Sequence, residues 1–193
     1  PSLGSADRGH RTGRLNRAQK WSTPNVGRTV ELAARMKVAS TNGGRMPTRT
    51  ARTAWDGGFN DGSGQVELTS SGLGTFDMSF PKRSSDDGGG ATNPEELIAA
   101  AHSSCYTMQL TALLGQAGAT PIAVETTADV SLGPDPDGGF KIGRIALTVR
   151  AEVENIDEQS FLEIAEQAKE TCPVSKALDG VDEVTLDAAL EAS

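Results

Sequence analysis

ATNPEELIAAAHSSCYTMQL, residues 91–110, carries the start signals of a long helix. Thr92 or Asn93 can cap the first turn, because a short polar side chain there accepts from an otherwise unpaired amide. Pro94 has the fixed φ and the missing N–H that suit the first helical position. Glu95 and Glu96 meet the positive end of the helix dipole. Ile98, Ala101, Cys105, Met108 and Ala112 recur at three- and four-residue spacing and predict an inward apolar stripe, with Gly115 or Gly118 as the stop.

Downstream, the period changes from helical to alternating. Ile122, Val124, Thr126, Ala128, Val130 and Leu132 alternate with Glu125, Thr127, Asp129 and Ser131, the pattern of a half-buried strand. GPDPDGG (133–139) turns the chain, and Ile145, Leu147, Val149, Ala151 and Val153 make the return strand of a hairpin. Phe140 and Ile142 fall out of phase with that set, so Gly143 is expected to mark a bulge. A second helix is predicted from Asp157 to Glu170, with Phe161, Ile164, Ala165 and Ala168 inward. Cys172-Pro173 opens a short helix that ends at Gly180, and Val184, Leu186, Ala188 and Leu190 form a last strand.

Upstream, Arg49–Trp55, Gly64–Ser70 and Thr75–Phe80 read as three strands of a meander, and SSDDGGGATN (84–93) reads as a flexible loop. The order of elements predicts an α+β fold, with helices packed on largely antiparallel sheets around the long central helix.

The chain has 193 residues, 36% of them hydrophobic, and a formal net charge of −8. Its longest purely apolar run is the five residues Leu97–Ala101, far short of the roughly 18 needed for a helical membrane span. The acidic total argues against nucleic-acid binding by bulk charge. That total is an average of two unlike parts. Residues 1–45 carry nine Lys and Arg against two acids, or +7, while residues 46–193 carry nine against 24, or −15. So 1–45 is expected to be a basic, disordered leader (a tag or upstream translation, with Met46 as a start), and 46–193 the working domain.

Chemistry converges on the two cysteines. Cys172 precedes a proline at a helix start, where unpaired amides and the dipole favour a thiolate. Cys105 lies on the apolar stripe, where a free cysteine is often no more than a small buried hydrophobe. If the two meet, they form a reversible dithiol couple in which one thiolate attacks and the other resolves the oxidised product. Other chemistries stay open on the same residues. His102, Cys105 and Cys172 make an incomplete zinc set, with no fourth ligand at a zinc spacing. His102 could also serve Cys105 as the base of a hydrolase. The glycine-rich loop lacks the Lys-Ser/Thr ending of a phosphate loop.

ATNPEELIAAAHSSCYTMQL (91–110), TTADVSL (126–132) and KETCPVSKAL (169–178) resemble motifs of the OsmC/Ohr family, and of its OsmC branch in particular. The resemblance runs in order over about residues 49–190. It implies an OsmC-like fold, an intertwined homodimer and a thiol-dependent peroxidase that reduces organic hydroperoxides and, less well, hydrogen peroxide. It implies Cys105 as the peroxidatic cysteine, Cys172 as the resolving cysteine, and Glu95 as the carboxylate that holds an arginine on the thiolate. It also implies a dithiol reductant of lipoyl type, a cytoplasmic location, and no cofactor, metal, nucleic acid or membrane.

The arginine is where this sequence departs from the family. Its position in some OsmC proteins is Ser79 here, and GGFNDGSG (57–64) has no basic residue. Arg83 is the candidate in its place, with Lys82 second. Phe80, Ile98 and Met108 are expected to line an apolar mouth for the peroxide. A straight helix puts ~15 Å between Glu95 and Cys105 along its axis, so Glu95 is expected to serve Cys105 of the partner subunit. The reading from another class is a non-catalytic thiol redox sensor or binding module on the same fold.

Overall fold

In the computed structural model, residues 47–85 and 88–191 are described. The leader expected over 1–45 lies outside them. The chain divides between Thr48 and Arg49, and every described helix and strand belongs to the part from Arg49 on. The elements are β1 (Arg52–Asp56), β2 (Ser63–Glu67), β3 (Thr75–Met78), α1 (Phe80–Arg83), α2 (Pro94–Gln116), β4 (Thr120–Pro134), β5 (Phe140–Glu154), α3 (Glu158–Thr171), α4 (Pro173–Ala177) and β6 (Glu183–Glu191). A 3-10 turn at Gly88–Gly90 precedes α2.

The strands form two three-stranded sheets, β1-β2-β3 and β4-β5-β6. The long β4–β5 hairpin is antiparallel, with Ser131 opposite Arg144 and Leu132 opposite Ile142. Gly143 is therefore the extra residue of a bulge, as the phase shift in the sequence predicts. Beyond it Ile145, Leu147, Val149, Ala151 and Val153 are all buried. β6 runs parallel to β5, a direction that alternation alone does not specify. Ion pairs Arg144–Glu183 and Arg150–Asp187 join the two strands. Being exposed, such pairs contribute only ~0–1 kcal/mol each, and the apolar face sets the register.

Helix α2 packs beside β4 and α3 beside β6, and their buried side chains share one core with those of β5. Asn93 caps α2, its side chain accepting from the Glu96 amide, and Asp157 caps α3 through the Ser160 amide. The inward face of α3 is as expected, with Phe161, Ala165 and Ala168 buried. That of α2 is not. His102, Tyr106, Leu110 and Leu114 face the core, while Ala101, Met108 and Ala112 from the expected stripe are exposed. α2 is apolar or small on most of its surface, so spacing alone admits two stripes. The larger side chains win, because burying a leucine contributes ~1.5–3 kcal/mol and an alanine much less. Tyr106 completes the contact by donating its hydroxyl to the Ala165 carbonyl at 3.0 Å. Burial, and the negative charges of Glu166 and an ionised Cys172, hold its phenol well above the usual tyrosine range.

The β1–β3 meander is different. Val66 is its buried residue, and Trp55 and Phe76 remain about two-fifths exposed. Strand β3 stops at Met78, earlier than the expected Phe80. Ser79 accepts from the Lys82 amide and Pro81 sets the first turn, so Phe80–Arg83 coils into α1. Among the described residues no helix is long and apolar enough to cross a membrane.

Candidate active site

Cys105 and Cys172 come together where α2 passes the α3–α4 junction. Cys172 ends α3, with its amide donating to the Ala168 carbonyl at 2.9 Å, and it is also the residue before Pro173 that opens α4. Both cysteines are free, Cys105 half-buried and Cys172 fully buried. The helix-borne cysteine is thus the accessible one, not the small buried hydrophobe that its apolar stripe allows.

The two thiols lie near enough to influence each other's ionisation, Cys172 raising the Cys105 pKa and Cys105 lowering that of Cys172. Burial is the largest influence on Cys105 and raises its pKa; the Val174 amide works against it, and Cys172 raises it further. Burial also opposes ionisation of Cys172. There the Ser175 amide, the Cys105 thiol, the Ser175 hydroxyl and the Val174 amide together outweigh it, and the pKa falls below the ordinary thiol value. The first proton lost belongs to the pair rather than to either cysteine alone.

Arg83 and Glu95 form a second pair at the start of α2. Arg83 Nε donates to Glu95 Oε2 at 3.0 Å and a terminal nitrogen donates to Oε1 at 2.6 Å, a bidentate fork. Their side chains are 31% and 12% exposed, so the pair is held in place rather than waving in solvent. Glu95 raises the Arg83 pKa by accepting these bonds. Arg83 lies one helical turn beyond Ser79, which explains how a cation can come from that position.

Beside this pair is an apolar cavity of about 220 Å³, lined by Trp55, Phe59, Met78, Phe80 and Arg83 among others. Phe59 and Phe80 pack with ring centroids 3.9 Å apart. Ile98 and Met108 do not line it. Ile98 is half-buried, and Met108 is 67% exposed. Lys82 borders a neighbouring polar cavity with Asp56 and Asp77.

The two pairs do not meet within one chain. α2 runs unbroken from Pro94 to Gln116. The ten residues from Glu95 to Cys105 therefore span ~15 Å of axis, beyond the ~10 Å Debye length at 0.1 M salt.

The family model described as OsmC-like protein matches residues 86–187. The chain belongs to the OsmC family. It is 44% identical over 137 residues to peroxiredoxin OsmC of Escherichia coli strain K12, which covers 71% of this chain and 92% of that one. Among solved structures, the organic hydroperoxide resistance protein OhrB of Bacillus subtilis aligns with a TM-score of 0.58 at 32% identity, over 72% of this chain and 98% of its own. An organic hydroperoxide resistance protein OsmC from Legionella pneumophila aligns at 0.59 and 29% identity, over 76% and 99%.

The OsmC resemblance marks Cys105, Cys172 and Glu95, and Arg83 is the candidate for the missing family arginine; the fold groups the four as two pairs. The resemblance says nothing of Trp55 and Phe59, whose place depends on how the meander folds back. Nor does it single out Ser175. The signal for that residue is spacing: Cys172 is the N-cap of α4, and Ser175 follows three residues on. His102, weighed as a metal ligand or a base, is fully buried with Nε2 at 2.9 Å from Ser175 Oγ. Among the described residues, no group of three or more His, Cys, Asp or Glu is placed to hold a metal ion.

Proposed function

We propose that this OsmC-family chain is a thiol-dependent peroxidase of organic hydroperoxides, working as a homodimer in the cytoplasm. The observation that carries the reading is the meeting of two free cysteines, one accessible and one buried, near enough that each shifts the other's ionisation. The relatives' names, a peroxiredoxin and organic hydroperoxide resistance proteins, point the same way.

In this reading the Cys105 thiolate attacks the distal oxygen of the hydroperoxide. The O–O bond breaks, the alkoxide leaves and takes a proton as the alcohol, and Cys105 becomes a sulfenic acid. Cys172 then attacks that sulfur, releasing water and forming the Cys105–Cys172 disulfide. An external dithiol, of lipoyl type by family likeness, reduces the disulfide by exchange and is itself oxidised. The aromatic cavity beside Arg83 gives the alkyl part of the peroxide an apolar seat, with Phe80 in its wall.

The homodimer has physical support in what one chain leaves uncovered. Met108 on α2, Phe59 before β2 and Leu73 before β3 are more than three-fifths exposed, apolar side chains that a second chain would cover. A second chain also offers a way to bring an Arg83–Glu95 pair to a Cys105.

Steady-state turnover with a dithiol reductant tests the function. Cumene hydroperoxide is expected to be consumed faster than hydrogen peroxide. A protein that oxidises once and does not turn over is a redox switch instead. Replacing Cys172 by serine separates the two thiol roles. Cys172→Ser should still react once with peroxide, leaving Cys105 as sulfenic acid or a higher oxide in the mass spectrum. Its dithiol-driven turnover should be lost.

A further inference from the structure

Among the described residues, two hydrogen bonds between side chains tie α2 to the segment that carries Cys172, one on each side of the cysteine pair. His102 Nε2 lies 2.9 Å from Ser175 Oγ, across 73 positions of sequence. Gln109 Nε2 donates to Thr171 Oγ1 at 2.9 Å, across 62. The Thr171 hydroxyl already donates to the Gln167 carbonyl at 2.7 Å, so its oxygen is left to accept from Gln109. On α2 the step from His102 to Gln109 is almost two full turns, so both side chains, and Cys105 between them, lie on one face. Opposite them, Thr171 ends α3, Ser175 belongs to α4, and Cys172 falls between. Each bond therefore joins a neighbour of one cysteine to a neighbour of the other.

Apolar packing alone would not fix this arrangement. The core around Cys172 is mostly apolar, and apolar attraction has no direction, so it lets one helix slide over another. A hydrogen bond is lost once its atoms drift past about 3.5 Å. A disulfide is as demanding, since it accepts Cα separations of only ~4.4–6.8 Å. His102 also stands in the core at a cost. It is fully buried, and its Nδ1 has no hydrogen-bond partner, so the bond to Ser175 satisfies only half of the ring. A polar group in that position serves register better than stability, as a buried polar residue does between coiled helices. We infer that the two bonds form a clasp: His102, Ser175, Gln109 and Thr171 are positioning residues that hold α2 in register with the α3–α4 junction, so that Cys105 and Cys172 stand ready to close a disulfide. The use of that closure to resolve an oxidised Cys105 rests on the peroxidase reading; the clasp itself does not.

The chain has two cysteines, so its intrachain disulfide can only be this one. The full reduced protein is equilibrated with oxidised and reduced dithiothreitol, and the disulfide fraction is read by thiol alkylation and mass spectrometry. Cys105 and Cys172 give up two electrons and two protons, and the cyclic disulfide of the reagent takes them up as its dithiol. Without a clasp bond the reduced protein samples registers that closure must give up, so the effective concentration of one thiol at the other falls. Thr171→Val keeps the side-chain shape, removes the hydroxyl, and is expected to lower the disulfide equilibrium constant about fivefold, the size of one net hydrogen bond. Gln109→Met breaks the same bond from its other end, and the two changes combined are expected to lower the constant no further. Thr171→Ser keeps the hydroxyl and is expected to stay near the parent value. Ser175→Ala tests the second bond with a similar expected loss. Ser175, Gln109 and Thr171 are half-buried, so these changes spare the buried imidazole and the packed core. In a Cys172→Ser background, Thr171→Val is expected to leave the alkylation rate of Cys105 unchanged, because the clasp supplies placement and not reactivity. A disulfide equilibrium unmoved by Thr171→Val or by Ser175→Ala overturns the inference. So does a loss that Thr171→Ser shares, or an equal fall in Cys105 alkylation. Peroxide consumption by the parent protein, measured alongside, decides the peroxidase reading independently of these results.

Discussion

Cys105→Ser reduces consumption of organic hydroperoxide to the uncatalysed background, while Cys172 in the same protein remains a titratable thiol. The expectation pits two physical effects against each other. By acidity alone Cys172 is the better thiolate, since the amides of Ser175 and Val174 and the Cys105 thiol favour its ionisation. By access it is the poorer nucleophile, because it has no solvent-exposed surface whereas Cys105 is half-buried. Access decides. A peroxide must bring its distal oxygen to bonding distance in line with the O–O bond, and no thiolate fraction compensates for a sulfur that substrate cannot touch. The acidity of Cys172 suits its later steps, attacking a sulfenic acid already formed beside it and leaving readily when the disulfide is reduced. Stopped-flow consumption of cumene hydroperoxide under single-turnover conditions checks this. If Cys105→Ser keeps the parent rate and Cys172→Ser loses it, the two roles are exchanged and the proposed mechanism is wrong.

Much of this architecture is legible in the residues. The caps Asn93 and Asp157, the alternation on β5 and the out-of-phase Gly143 each state a local preference that the fold obeys. What is not legible comes from tertiary competition. On α2 two apolar stripes satisfy the same spacing, and only the volume of Tyr106, Leu110 and Leu114 against β5 selects one. The alternation of β6 fixes its faces but not its direction, and the connection through α3 and α4 makes it parallel. At the site, family likeness marks Cys105, Cys172 and Glu95. Arg83 comes from its place beside Ser79 in FPKR, where Pro81 makes a turn of helix and brings the guanidinium round to Glu95. The His102–Ser175 contact joins residues on different helices, and only the N-cap spacing from Cys172 to Ser175 hints at half of it.

Arg83→Ala is expected to slow the reaction of Cys105 with peroxide by about 10- to 1,000-fold, the range set by a nearby positive charge that depresses a thiol pKa by ~1–3 units. Within one chain no described residue near Cys105 has that effect, and its pKa is raised by burial. The ~15 Å along α2 prevents the same chain's Arg83 from supplying it. In the proposed homodimer the cation comes from the partner subunit, and mixing variants tests this directly. Arg83→Ala chains keep Cys105, and Cys105→Ser chains keep Arg83, so each homodimer is defective at both sites. In a mixed dimer, an arginine supplied across the interface meets an intact Cys105 at one site, and equal mixing restores roughly a quarter of the parent's sites, given random pairing in a twofold dimer. An arginine acting within its own chain restores none. Unfolding and refolding the two variants together, then assaying peroxide consumption, gives the answer. The stability of Arg83→Ala is followed by thermal unfolding, since removal of the guanidinium leaves the mostly buried Glu95 carboxylate unpaired at a cost of ~1–3 kcal/mol. A near-parent rate for Arg83→Ala alone would move the activating role to Lys82, which borders the adjoining cavity on the same turn of helix. Recovery on mixing would instead establish that acidity at Cys105 is created by association. The long α2 then serves both subunits, holding Arg83 through Glu95 for one site and presenting Cys105 to the other.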